Sequence, residues 1–553
     1  MSVKVSVVVP VYNPGHYIDD LIASLLRQSL APEAYEVIFV DDGSTDETPV
    51  HLERLAAEHP NITLIRIPNS GWPGRPRNVG LDASVGAYVY FVDNDDWLGD
   101  EALERLWLTA ERTGADVVLG KEVGHGRGVP RHLFRRNVDD ATFDNAPLLA
   151  LLTPHKLFRR SFLDRHAIRF PEGRRRLEDH VFVMKAYFHA SRVSILADYP
   201  CYHWVRRDDA GNATDRYADP AGYYENVREV LDIVDEHTEP GPLRNRMYAH
   251  WFRSKGLERL RGQRWAAGPD PHAEEVYAEV RRLALERFGP PVIDELPLKF
   301  RTLAHAVMGD RPDLVSAQAR LEHGMQADVE LEAYERRRGR VQLSMVARLR
   351  DGRGRPIRFA RVGDRMRWAP EPPPGWDGVV PEEALDATDE LAVAGVGIVL
   401  RERASRVEYD LPARVERTFE ADGRGGMTPV LRAHAEIDTG KIAAGGELGT
   451  GIWDLFAHVH AAGWRSVRRL ADVAEPELRP RLQMHTTQFG NLSLKLGEAA
   501  APPAPRRPHK GPRQQPAISV PSGAIPRAVM RAVPRRMREA AKRALLRVSG
   551  ETR

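Results

Sequence analysis

Several short stretches gather side chains able to do polar chemistry. Asp93-Asn94-Asp95 closes an apolar run over 87–92. Carboxylates at the end of a buried strand must be solvated in a cleft or hold a cation, and hard oxygen ligands suit Mg²⁺ or Mn²⁺ bridging to a phosphate. The plainer alternative is a strand–helix turn with Asp95 or Asp96 as N-cap. Asp41 ends a second apolar run, 36–40, and can accept hydrogen bonds from a ring N–H or a ribose hydroxyl. Residues 69–78, NSGWPGRPRN, form a Gly-bearing loop that enters a helix with Arg75 and Arg77 in its first turn. A helix N-terminus favours anions and arginine forks grip phosphates, although surface arginines beside a turn are the alternative. The loop lacks Gly-Lys-Ser/Thr and is no Walker A sequence. Glu178 and Asp179 stand before the apolar run 181–188; there a carboxylate caps the helix or, facing a cleft, takes a proton from an alcohol. His203, Arg206 and Arg207 follow the strand-like run 193–200, where His203 reads as a metal ligand or as a structural histidine.

These groups need elements to hold them. Val5–Val11 is a β-branched run of the kind buried on both faces of a parallel sheet. Ile18, Leu21, Ile22 and Leu25 share one face of a helix over 17–26. Strands are expected at 35–40, 62–67 and 87–92, and a helix at 75–83. Ser44 and Glu47 have the spacing of a capping box for the helix after the second strand. Strands and helices in alternation mean βαβ units with right-handed crossovers. Ligands of such sheets collect at the carboxyl ends of the strands, where Tyr12, Asp41 and Asp93 lie.

Beyond residue 217 the pattern changes. Residues 217–327 read as a helical segment, with apolar positions at three- and four-residue spacing over 224–234 and 274–288. From 328 to 498 the period becomes two, as in 340–349, 391–402, 430–437 and 492–496, the mark of β-sandwich modules serving oligomerisation or polymer binding. Residues 370–381 are a long loop or a seam between two β units. Trp376, Trp453 and Trp464 are a sugar-stacking platform or core. Residues 499–524 form a Pro- and Ala-rich linker. In 525–548 apolar residues recur at near-helical spacing between arginines, a basic amphipathic segment able to lie on an anionic membrane or a disordered basic extension; Pro534 interrupts it.

Composition sets outer limits. The 553 residues carry 80 basic and 78 acidic side chains, a formal net charge of +2, which argues against a dedicated nucleic-acid binder. Residues 501–553 hold 13 Lys and Arg against 2 acids, leaving residues 1–500 at −9. The single cysteine, Cys201, excludes an internal disulfide and a Cys-rich zinc scaffold and fits a reducing compartment. No apolar run approaches the ~20 residues of a membrane span. The opening residues read as a first strand rather than a signal sequence, so a cytoplasmic protein is expected, peripheral on the inner membrane face if the basic segment binds lipid.

Taken in order, VSVVVPVYN at 5–13, IFVDDGSTDET at 38–48, NSGWPGRPRNVGL at 69–81, YFVDNDD at 90–96, KLFRRSFL at 156–163 and LEDHVF at 177–182 resemble the family 2 inverting glycosyltransferases of GT-A fold. The resemblance covers about residues 1–215. The larger plan of GT-A domain (1–216), helical segment, β-sandwich modules and basic tail is similar to that of the wall teichoic acid (polyribitol-phosphate) glycosyltransferases. The resemblance implies a UDP-sugar donor, a polymer or polysaccharide acceptor, an Mn²⁺ or Mg²⁺ cofactor and transfer of a hexose or N-acetylhexosamine. It implies that Pro10, Tyr12 and Asp41 line the base pocket, and that Asn69 and Arg77 contact base or diphosphate. Asp93, with Asn94 beside it, would hold the ribose and metal-bound water, and Asp95 would ligate the cation. Asp179 would be the catalytic base with Glu178 adjacent, while Arg206 or Arg207 would clamp the diphosphate from the loop 207–214. Trp72 and Pro76 stand where the family often has small residues, and His180 follows the acidic pair where the family varies. A sugar-phosphate nucleotidyltransferase, or a polymer-binding scaffold with a decayed transferase domain, are the competing readings; the first lacks its Gly-rich, Lys-bearing N-terminal signature.

Overall fold

The computed structural model describes residues 2–209, 219–337, 340–370, 375–423, 425–471, 482–487 and 491–497. The Pro-rich linker, the basic amphipathic segment and most of the loop 207–214 lie outside these residues.

The N-terminal part is built on one mixed sheet. Its strands are β1 (Val5–Val11), β2 (Tyr35–Asp41), β3 (Ile62–Arg66), β4 (Tyr88–Phe91), β5 (Trp97–Leu98), β6 (Val117–His125), β7 (Lys156–Arg159) and β8 (Val193–Val205). They lie in the order β3-β2-β1-β4-β7-β6-β8-β5. The first four are parallel, whereas β7 runs antiparallel to both β4 and β6. Every residue of β1 is buried, because both faces are covered. Strand alternation sends Val5, Val7, Val9 and Val11 into a core with helices α1 (Ile18–Leu26) and α4 (Ala102–Thr113), and Val8 into the core on the opposite face.

The helix α2 (Thr48–Glu58) begins at Thr48, and the expected capping box does not form. Ser44 Oγ instead accepts from the Asn13 amide at 3.0 Å, and Asp46 Oδ1 accepts from Thr48 N at 3.0 Å. Ser44 thereby ties the loop to the end of β1, while Asp46 ties it to the first residue of α2. Helix α3 (Gly74–Ala83) packs close on β1: a Cβ on Gly80 would come within 2.3 Å of Val8 Cγ1. That approach carries Arg77 into the interior at the strand ends. Helices α5 (Arg160–Arg165) and α6 (Glu178–His189) follow. Leu177, just ahead of α6, sits at φ 61°, ψ 24°, a left-handed conformation that is strained for a leucine and fixes where Glu178 and Asp179 enter the fold.

The helical segment, including α7 (Pro220–His237) and α8 (Pro242–Trp251), shares one apolar cluster with the Val8 face of the sheet, from Phe91 and Phe182 to Leu303 and Ala319. From Gln326 onward two antiparallel sheets, each of six strands, enclose a third core. Trp376, Trp453 and Trp464 are 3–4% exposed inside that core, so the sugar-platform reading is overturned: the indoles are packed among core side chains and not open to solvent. The strand expected at 391–402 starts at Gly395, because Thr388–Ala392 forms a short helix whose Leu391 turns into the core. Among the described residues no helix is long and apolar enough to cross a membrane.

Candidate active site

The carboxyl ends of β1, β2 and β4 make a crevice, and side chains from distant segments lock it. Asn94 Nδ2 donates to the Pro10 carbonyl at 3.0 Å, joining the ends of β4 and β1. Asp41 is buried and Oδ1 accepts from Ser44 N at 3.0 Å. Asn69 Nδ2 donates to the Asp42 carbonyl at 2.8 Å, while Asp42 itself accepts from Ser70 N and Ser70 Oγ at 2.7 and 2.9 Å. Tyr12 is 41% exposed at the mouth. These residues shape one wall.

The floor is a chain of alternating charges. Arg77, 5% exposed, donates through Nη2 to Asp93 Oδ1 at 2.7 Å and through Nη1 to Glu178 Oε1 at 3.1 Å. Glu178 Oε2 also accepts from Trp72 Nε1 at 2.8 Å. Beyond Asp93, His155 Nε2 lies 3.2 Å from Asp93 Oδ2, and His155 Nδ1 lies 3.4 Å from Glu122 Oε1. The sequence Glu178, Arg77, Asp93, His155, Glu122 thus alternates in sign through the protein interior, which is what makes buried ions tolerable. Burial opposes protonation of His155, but its bonds to Asp93 and Glu122 prevail and push its pKa up to about 9. Arg77 and His155 together hold Asp93 well below the ordinary carboxylate range against its burial.

Asp179 follows Glu178 at the start of α6. Its Oδ1 accepts from the His180 amide at 2.8 Å. Burial raises its pKa, while Lys255 and Arg77 pull it down and the charge of Asp93 adds to the rise. Asp95 is pushed up to about 6, by burial first and then by Asp93, with Arg207 and Arg127 opposing. Asp93 therefore acts on both Asp95 and Asp179, and the acids of the two motifs converge on one crevice. Arg207 crosses its mouth, bonded to Asp209 at 3.0 and 2.7 Å and stacked 4.3 Å over the Tyr17 ring. The Arg206 side chain is exposed, and its amide donates to the His125 carbonyl at 2.9 Å.

His203 is not with the acids. β8 runs on through Val205, beyond the expected end near Pro200, so alternation turns Tyr202 toward the acids and His203 away. His203 Nδ1 sits 3.0 Å from His125 Nε2, its ring stacks on Trp97 at 5.0 Å, and burial lowers its pKa to about 3. The histidine facing Asp93 is His155, whose ring stacks on Tyr202 at 3.9 Å.

Among the described residues one trio of possible metal donors, Asp93, Asp96 and His155, has its atoms within 4.8 Å of one another. Its donors are already engaged. Asp96 accepts from Tyr202 Oη at 2.5 Å and from Val205 N at 2.7 Å, and His155 lies between Asp93 Oδ2 and Glu122 Oε1 at 3.2 and 3.4 Å. Beside this trio, Asp95 and the outer side of Asp93, whose side chain is 32% exposed, are the carboxylates the sequence points to as cation ligands. There a cation would relieve the like-charge repulsion that raises Asp95.

Three family profiles cover the chain in the same order as these parts. Glycosyl transferase family 2 matches residues 6–196, the glycosyl transferase TarS linker domain 220–319, and TarS beta-glycosyltransferase C-terminal domain 1 386–495. The chain carries a family 2 glycosyltransferase domain. A poly(ribitol-phosphate) beta-glucosyltransferase of Bacillus spizizenii is 37% identical over 233 residues, 42% of this chain and 37% of that protein. Poly(ribitol-phosphate) beta-N-acetylglucosaminyltransferase TarS of Staphylococcus aureus is 36% identical over 244 residues, 43% of this chain and 42% of that protein. The aligned stretch thus spans about two fifths of these relatives. The crystal structure of S. aureus TarS 1–349 in complex with UDP-GlcNAc superposes with a TM-score of 0.52 at 27% identity, covering 62% of this chain and 96% of that one.

Glu122, His155 and Trp72 are the site residues the sequence reading missed or undervalued. Lys121-Glu122 inside the otherwise apolar run 117–123 was the available signal, since charges buried in a central strand require partners.

Proposed function

We propose that this chain is a metal-dependent inverting glycosyltransferase that moves a sugar from a UDP-sugar to a hydroxyl of a poly(ribitol-phosphate)-type cell-envelope polymer. The observation that carries the proposal is the buried charge chain, which holds the Asp93–Asp95 edge and the Glu178–Asp179 edge in one crevice. The relatives that share the domain order support the acceptor class.

The residues divide the work. Tyr12, Asp41, Asn69 and the Pro10–Asn94 junction bind the nucleoside. Asp95 and the outer side of Asp93 hold the cation, which when bound neutralises charge on the departing diphosphate. Arg207, and Arg206 beside it, close over that diphosphate. Arg77 orients Asp93 and Glu178 rather than touching the donor. Asp179 takes the acceptor hydroxyl proton through its second carboxylate oxygen. The alcohol oxygen bonds to the anomeric carbon as the bond to the diphosphate breaks on the opposite face, and configuration inverts. Burial raises the basicity of Asp179, while Lys255 and Arg77 pull its pKa back down. The β-sandwich serves oligomerisation or polymer binding.

Asp179→Asn tests the assignment. Sugar transfer falls at least a thousandfold while UDP-sugar binding by calorimetry stays within threefold; equal loss of both would make Asp179 a structural cap.

A further inference from the structure

Away from the crevice, a cavity of about 300 Å³ opens between the turn Arg131–Phe134, the segment 146–150, helix α8 and the π-helical turn Phe252–Gly256. This volume is at the low end for small-molecule sites. Phe143, Leu148, Met247 and Leu296 supply an apolar wall. The polar lining is lopsided: His132, Arg246, His250 and Arg253 face the single carboxylate of Glu295 among the described residues.

The guanidiniums differ. Arg246 is matched by Asp144 at 2.6 Å. Arg253 is half-buried, and its side chain makes no hydrogen bond or ion pair among the described residues. Its charged neighbours are Arg465, which repels it, and Glu258, which is already paired with Arg261 at 2.6 Å. A half-buried, unmatched guanidinium beside a second arginine is a cost that folding does not recover, whereas an oxyanion would match it with two parallel N–H bonds. Burial and the nearby arginines keep His132 and His250 neutral, so they add N–H donors rather than charge. Arg253 lies in a π turn, a local irregularity found often at functional sites. Lys255, two residues on, acts on Asp179 and so belongs to the crevice.

We propose that this cavity is a second anion site, taking a phosphate ester or diester with a small organic body, with Arg253 on its wall as the charge partner and Arg465, behind Arg253 and outside the lining, adding to the positive field. The ligand is either a phosphate of the acceptor chain or a free phosphate ester; only the first rests on the transferase reading. The test titrates the full-length chain with inorganic phosphate by calorimetry, with UDP saturating the crevice, in wild type, Arg253→Gln and Arg465→Gln. Phosphate binds the wild type and weakens at least tenfold in R253Q and at least threefold in R465Q; R465Q carries the result if R253Q does not fold. A polymer phosphate as ligand also raises the acceptor KM of R253Q at least threefold, with kcat and donor KM unchanged. A free ester leaves the acceptor KM as it was. No phosphate binding in the presence of UDP, or equal binding by wild type and both variants, overturns the proposal whether or not the chain transfers sugar.

Discussion

Replacing Arg77 by methionine separates two roles for a deeply buried charge of the crevice. Arg77 is 5% exposed and spans Asp93 and Glu178 at 2.7 and 3.1 Å. Methionine fills much of the volume but leaves both carboxylates without that partner. Removing one member of a buried ion pair costs about 3–5 kcal/mol. Here His155 still serves Asp93 and the Trp72 indole still serves Glu178, so the two losses together fall in that range rather than at twice it. For a unit of the N-terminal domain's size this corresponds to a fall in Tm of roughly 6–20 °C. The sign with pH follows from the carboxylates. Without Arg77 the folded pKa of Asp93 rises from well below the carboxylate range, so its share of the destabilisation is full at pH 7.5 and shrinks as acid protonates it; Glu178, already pushed up to about 7 by burial and Asp179, takes up a proton near neutrality and adds less. Thermal unfolding of wild type and R77M at pH 7.5 and 5.0, each with and without UDP, measures both effects. A fall below about 3 °C that is equal at both pH values, together with loss of the UDP-induced shift, would refute the reasoning and return Arg77 to the role of a nucleotide contact.

EDTA abolishes transfer and Mn²⁺ or Mg²⁺ restores it, while Asp95→Asn raises the metal concentration needed for half-maximal activity; activity indifferent to chelator removes the cation from Asp95. His155 has a folded pKa raised to about 9, so it stabilises fully below its ordinary value near 6.5 and loses that effect as pH rises through 9. The stability gap between wild type and His155→Gln, measured by denaturation in EDTA, therefore narrows by about 3 kcal/mol over that interval; a constant gap would mean an uncharged His155. Trp464→Ala, which empties a site packed against Trp368 at 5.0 Å, destabilises the β region by about 3–5 kcal/mol in chemical denaturation and leaves donor binding unchanged.

Much of the architecture was readable from local pattern. The valine-rich Val5–Val11, broken only by Ser6 and Pro10, reads as a strand covered on both sides, and acids following such strands emerge at their carboxyl ends. The order of six motifs located Asp41, Asp93, Asp95 and Asp179 along the chain, because the chemistry of each depends on the residue and its immediate turn. What these acids face was decided by tertiary structure. Glu122 sits on β6 and His155 immediately ahead of β7, strands inserted into the sheet out of chain order, and no local spacing relates them to Asp93. His203 was misplaced by the length of one strand: five more residues of β8 exchange which side of the sheet each side chain meets. The three tryptophans of the β region show the same limit, since period-two alternation tells which residues share a face but not whether a second sheet covers it. Sequence sets side-chain chemistry and local geometry; the partner of a buried charge is fixed only when segments far apart in the chain are packed, because water is then gone and the nearest opposite charge must replace it.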